Sequence, residues 1–156
     1  MTAVLLAGCG VSGMLSESDK ETEALVASCV DNHEIYIEVS TIYPQKGRPI
    51  QTADGYYLSV KDGVANSYLP FFGESYMAAG YGDSPQIEYK DCPVEVSESV
   101  SAKGKHTWTF SGMIKGSLVT TSVEFFSSGS AEITCTSSNR SIMRYLGTVC
   151  EDKREK

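Results

Sequence analysis

Among the residues able to do chemistry, Cys9 carries the clearest signal, because it closes the run Leu6-Ala7-Gly8-Cys9 after a short apolar stretch. That spacing matches a bacterial lipobox. A thiol so placed is acylated by diacylglyceryl transfer, the small residues before it admit the signal peptidase, and the new N-terminal cysteine carries the acyl chains. Several chains on one residue anchor stably where a single chain is marginal. Met1 to Leu6 contains neither the Lys nor the Arg that opens a signal segment, so the competing reading is an ordinary N-terminus that contains these four residues by chance. Ala3 to Gly13 is well short of the roughly 20 apolar residues that span a bilayer. The expectation is an exported protein, lipid-anchored in the cell envelope at the outer membrane and facing the periplasm or the surface. Its first partner is then the membrane.

With Cys9 assigned to lipid, Cys29, Cys92, Cys135 and Cys150 remain, an even number in a chain that has left the cytoplasm. They are possible disulfide cysteines, and their pairing is open. Buried thiols are the alternative, since cysteine packs as a small hydrophobe. No Cys-x-x-Cys or His-x-x-x-His pair offers zinc spacing, so no metal and no cofactor is expected. His33 and His106 both read as exposed, and Glu88, Asp91, Glu95 and Glu98 alternate in a way that leaves them solvated. Nothing sets two carboxyls across a cleft as a glycosidase requires. Nucleophile-elbow, phosphate-loop and dinucleotide motifs are missing from the sequence. A non-enzymatic role is the expectation. The net charge of −7, with Lys103, Lys105 and Lys115 dispersed, argues against nucleic acid.

The elements follow from periodicity. Ser18-Asp19-Lys20-Glu21 fits a capping box. Thr22, Leu25, Val26, Cys29 and Val30 then form one apolar helical stripe, ending at Asn32 in a left-handed conformation. From Ile35 the period becomes two. Asp62-Gly63 predicts a type I′ hairpin pairing Lys61 with Val64 and setting Tyr57 against Tyr68 on the face opposite Leu58, Val60, Ala65 and Leu69. Ser127-Ser128-Gly129 predicts a second hairpin that opposes Phe125 to Ala131, Val123 to Ile133 and Thr121 to Cys135, and also Glu124 to Glu132. A like-charged pair there must be exposed. A third turn near Ser138-Asn139-Arg140 leads into Met143 to Val149, Thr107 to Phe110 supplies another strand, and Trp108 reads as core. Strands joined by tight turns imply a mainly β fold: an antiparallel up-and-down meander closing into a small barrel, with one N-terminal amphipathic helix that lies on the sheet or plugs one end. The chain divides into a signal remnant (1–9), a flexible tether (10–17), one barrel domain (18–150) and a charged tail (151–156).

The run Ser67-Tyr68-Leu69-Pro70-Phe71-Phe72-Gly73 is distinctive. Together with Tyr43-Pro44, Gly47-x-Pro49, Ser128-Gly129-Ser130-Ala131, Asn139-Arg140 and Tyr145-x-Gly147, it resembles the family known as domain of unknown function 4251. The resemblance implies an exported, often lipidated protein of Gram-negative gut anaerobes with a lipocalin-like barrel. It carries no activity and no functional residues. Two readings of the aromatic run stand side by side. Its rings close one end of the barrel, or Tyr68, Phe71, Phe72, Tyr76 and Tyr81 form the mouth of a cavity for an apolar or amphiphilic small molecule. In the second case residues 73–85 form a flexible loop able to gate the mouth. A carrier needs a continuous apolar cavity of roughly 300 Å³ or more. The first reading of function is an envelope lipoprotein whose barrel binds such a small molecule; the alternative, to which a filled barrel would point, is a structural or inhibitory protein-interaction module that uses the outer aromatics Tyr57 and Tyr68.

Overall fold

The computed structural model describes residues 17–44, 47–52, 54–70, 86–114, 116–137 and 140–152, with only the backbone described at 86, 140 and 141. Cys9, the tether up to residue 16, the aromatics Phe71, Phe72, Tyr76 and Tyr81, and the tip of the third turn lie outside the described residues.

Helix α1 spans Glu17–Asn32. It starts one residue before Ser18, so Ser18 stands in the first turn rather than at the cap, and Glu17 belongs to the helix rather than to the tether. The Ser18 carbonyl accepts a hydrogen bond from Thr22 Oγ1 at 2.9 Å. Glu17 and Asp19 place negative charge at the positive end of the helix dipole. At the other end the left-handed residue is His33 (φ 54°), not Asn32. Glu34 N donates to Cys29 O (3.0 Å) and His33 N to Val30 O (3.3 Å). This crossed pair is a Schellman motif, which satisfies two carbonyls of the last turn and reverses the chain into the sheet. The expected stripe faces inward: Val26 is buried, and Thr22, Leu25, Cys29 and Val30 are half-buried.

The strands are β1 (Ile35–Tyr43), β2 (Ile50–Gln51), β3 (Tyr57–Lys61), β4 (Val64–Pro70), β5 (Gln86–Ile87), β6 (Cys92–Pro93), β7 (Ser97–Val100), β8 (His106–Ile114), β9 (Ser117–Phe125), β10 (Ser130–Ser137) and β11 (Arg140–Val149). They form one curled antiparallel sheet in the order β5-β4-β3-β1-β11-β10-β9-β8-β7, with β2 against β1 and β6 against β4. The first and last long strands are therefore neighbours, as an up-and-down barrel requires. The segment 92–100 links the remaining edges. Cys92 and Pro93 pair with Ala65 and Val64 of β4, Val94 N donates to Gly63 O (2.8 Å), and Ser97–Val100 then pairs with β8.

Both hairpins have the expected registers. Lys61 faces Val64 and Tyr57 faces Tyr68, with Asp62 and Gly63 at φ 54° and 70° as type I′ geometry demands. Phe125 faces Ala131, Val123 faces Ile133 and Thr121 faces Cys135, with Gly129 left-handed at φ 85°. Glu124 does oppose Glu132. The repulsion is relieved from the flanking strands, since Lys105 reaches Glu124 (3.1 Å) and Arg144 reaches Glu132 (2.8 Å).

One irregularity sets the shape of the seam. A β-bulge between Val39 and Thr41 leaves Ser40 without a partner residue in the β1–β11 register. Ile35, Ile37 and Val39 point inward before it, and Ile42 points inward after it. The extra residue bends β1 and shifts its phase by one. Gly147 of β11 faces Val39 there, and a Cβ added to Gly147 would overlap the Glu38 carbonyl. Only glycine admits so close a backbone approach.

Candidate functional site

The interior decides what kind of site the barrel can offer. Ile37, Leu58, Leu69, Val123, Phe125, Ile133, Met143 and Tyr145 are fully buried, and Trp108 is 1% exposed. Trp108 meets Phe125 edge-on, with ring centroids 5.4 Å apart. The largest unexpected contributor is Tyr89. Its ring tilts against Phe110 (5.8 Å), and its hydroxyl donates to Val119 O (3.1 Å) and lies 3.0 Å from Thr121 Oγ1. Gly112 makes room for that ring, since a Cβ there would stand 2.6 Å from Tyr89 Cε1. Thr121 Oγ1 in turn lies 3.6 Å from Cys135 Sγ. Burial pushes the Cys135 thiol up to about 12, with the Thr121 hydrogen bond pulling partly the other way. Burial likewise raises the Tyr89 phenol, outweighing its hydrogen bond to Thr121. Both groups are therefore held in their protonated forms.

The described residues on either side of positions 71–85 are held from within. Tyr145 OH donates to Pro70 O (2.7 Å), while Ser67 Oγ donates to Ile87 O and accepts from Tyr89 N, both at 3.1 Å. Pro70 and Gln86 stand at the end of the sheet opposite α1.

Two of the clefts among the described residues have a volume of about 180 Å³ each. This is below the roughly 300 Å³ expected of a ligand carrier. One lies between α1, β1 and β3 and has a mixed lining of Leu25, Ser28, Ile35, Lys61 and the two cysteines Cys29 and Cys150. The other holds His33, Val94, Val96, Glu98 and Trp108. His33 Nδ1 there lies 2.7 Å from Glu98 Oε1, and the histidine side chain is 70% exposed. Such a pair ties the end of α1 to β7 in open solvent. His106 is half-buried and stacks on Phe125 (5.1 Å). Glu95 and Asp91 are exposed, as their alternation implied. Among the described residues no group of three or more His, Cys, Asp or Glu is placed to hold a metal. No described helix is long and apolar enough to cross a membrane.

The outer surface is more distinctive. On the wall made by β1, β3 and β4, Tyr36 stacks on Tyr57 (5.5 Å) and Tyr56 on Tyr68 (5.6 Å), while Tyr57 and Tyr68 are cross-strand neighbours. All four rings are half-buried. Of the five aromatics expected at a mouth, Tyr68 is thus placed on the outer wall, and the other four fall outside the described residues. Tyr36 and Tyr56 join the site although the sequence reading did not include them. Their signal was the position of Tyr36 two residues before Glu38 on the polar phase of β1, and of Tyr56 at the entry to β3.

A family model described as domain of unknown function DUF4251 matches residues 17–149. The chain belongs to this family. Among solved structures, it is similar to a DUF4251 family protein from Bacteroides eggerthii DSM 20697, known from a crystal structure. The two share 14% sequence identity over 85% of this chain and 89% of that one, with a TM-score of 0.65. At that identity the likeness speaks for the fold alone. No curated protein matches.

Proposed function

We propose that this DUF4251 member is a non-enzymatic envelope lipoprotein, exported and anchored through Cys9, whose filled barrel serves as a protein-interaction module. One observation supports the reading: Tyr89, Trp108, Phe110, Phe125 and Tyr145 are all buried, as side chains that fill an interior would be. The stacked pairs Tyr36–Tyr57 and Tyr56–Tyr68 at β1, β3 and β4 offer a surface suited to a partner. A tyrosine ring offers rigid contact area at low entropic cost, and its hydroxyl keeps a polar tip. The lipobox spacing Leu6-Ala7-Gly8-Cys9 supports the anchor, and the short stretch between Cys9 and α1 serves as a tether.

Native mass spectrometry of the protein extracted from its own envelope tests this reading. The expected result is an acylated chain with a bound polypeptide that is lost in Tyr57→Ala/Tyr68→Ala. A co-purifying amphiphile with no polypeptide would favour the carrier reading instead. An unacylated product would remove the anchor.

A further inference from the structure

Cys29 sits on the last turn of α1, and Cys150 follows directly on β11. The two belong to opposite ends of the domain sequence, yet both line the same cleft. The backbone explains the meeting. Glu34 N is bound to Cys29 O (3.0 Å), and two residues further on Tyr36 O accepts from Cys150 N (2.9 Å). The Schellman turn thus folds the end of α1 back beside the strand that pairs with the C-terminal segment. Cys92 and Cys135 are placed otherwise. Cys92 Sγ packs near Gly112 of β8, and Cys135 lies on β10 facing Thr121 of β9. Cys92 belongs to β6, paired with Ala65 of β4, and the Cys135 thiol lies against Thr121 Oγ1 (3.6 Å), so neither lines the cleft that Cys29 and Cys150 share.

We propose that Cys29 and Cys150 form a disulfide that staples α1 to the end of β11, leaving Cys92 and Cys135 as thiols. The inference rests on the export reading for its oxidising compartment. In the reaction each thiol gives up its proton and the pair gives up two electrons, forming one S–S bond. A dithiol oxidase of the disulfide-exchange type accepts them, its own disulfide being reduced to two thiols. Cys150 Sγ now lies 3.9 Å from Glu38 Oε2, so closing the bond turns it from Glu38 toward the helix. Burial first, then the negative charges of Glu34 and Cys150, raise the pKa of the Cys29 thiol. A Cys29 thiol so shielded suits a bond made during folding rather than a redox sensor. The staple has a mechanical use. A pull on the N-terminal tether enters the fold through α1, and the bond passes it to β11, which lies between two strands.

The test is oxidation of the purified chain in a glutathione redox buffer, followed by alkylation without reduction and peptide mapping. It needs no export, so its failure is separate from failure of the lipoprotein reading, which is read by acylation in cells. The expected product is two hydrogens lighter, has a Cys29–Cys150 crosslinked peptide and melts several degrees higher than the reduced form. Cys29→Ser and Cys150→Ser each lose the crosslink, and Cys92→Ser keeps it. A crosslink between any other pair, or alkylation of both Cys29 and Cys150 after oxidation of the folded protein, would overturn the proposal.

Discussion

The wall made by β1, β3 and β4 and the wall made by β8 to β10 line the same interior with the same kind of residue, yet they face outward with different chemistry. On the second wall the outward ladders run Thr109-Ser122-Thr134, Thr107-Glu124-Glu132 and Ser111-Thr120-Thr136 across three strands. Threonine favours the strand and stays hydrated, and apolar area on this face is confined to the exposed pair Met113–Leu118 at the β8–β9 end. On the first wall the equivalent positions carry Tyr36, Tyr57 and Tyr68. Core requirements are met equally on both sides, so packing alone does not call for tyrosine on one and threonine on the other. The two walls therefore share an interior and differ in the chemistry they turn outward.

The comparison is broken most completely at the seam that joins the walls. Gly147→Ala drives a Cβ into the Glu38 backbone of β1, which no rotamer change relieves. The expected cost is at least ~3 kcal/mol, read as a lower urea midpoint, with both walls lost together. Next comes the shared interior. Tyr89→Phe leaves Val119 O without its hydroxyl partner in a buried site, which costs about 1–3 kcal/mol. Tyr89→Ala costs about 3–5 kcal/mol by opening a cavity. Neither moves the outer tyrosines.

The interior also sets an alkaline limit. Cys135 has an ordinary value of 9.0 that burial pushes up to about 12. Between those values the unfolded chain releases the proton and the folded one keeps it. Stability is therefore full below pH 9 and falls as pH rises toward 12, by about 1.4 kcal/mol per pH unit for this group. Tyr89, raised from 10.0, adds to the fall at higher pH. Urea melts of Cys135→Ala across this range are expected to show a shallower decline than wild type.

Smaller effects sharpen the contrast between the walls. Tyr57→Ala and Tyr68→Ala are expected to lower stability by only about 1 kcal/mol through lost cross-strand contact, while binding to the proposed partner drops at least tenfold. Ser122→Ala on the other wall leaves both unchanged. Arg144→Ala unmasks the Glu124–Glu132 repulsion and should cost ~0.5 kcal/mol at low salt, less at high salt.

Sequence periodicity revealed the hairpins because their turns are chemically explicit: Asp62-Gly63 and Gly129 fix the backbone, and the turn fixes the register. The bulge at Ser40 was not legible, because Ser40-Thr41-Ile42 reads as a simple continuation of alternation until a partner strand is present. Nor was the role of Tyr89. It sits in an acidic stretch, between Glu88 and Lys90, with strands of only two residues on either side. Local pattern cannot report that its ring crosses to β9. The left-handed residue after α1 falls on His33 rather than Asn32, because the hydrogen bonds to Cys29 and Val30 count turns from the helix end and override residue preference.

The central claim is that the tyrosine wall, and not the interior or the threonine wall, meets a polypeptide. Photo-crosslinking in intact cells tests it most directly, with a benzophenone-bearing phenylalanine placed at Tyr57 or, separately, at Ser122. A discrete protein adduct from position 57 and none from position 122 is the predicted result. Equal labelling from both positions, or adducts from neither while a small molecule co-purifies, would contradict it.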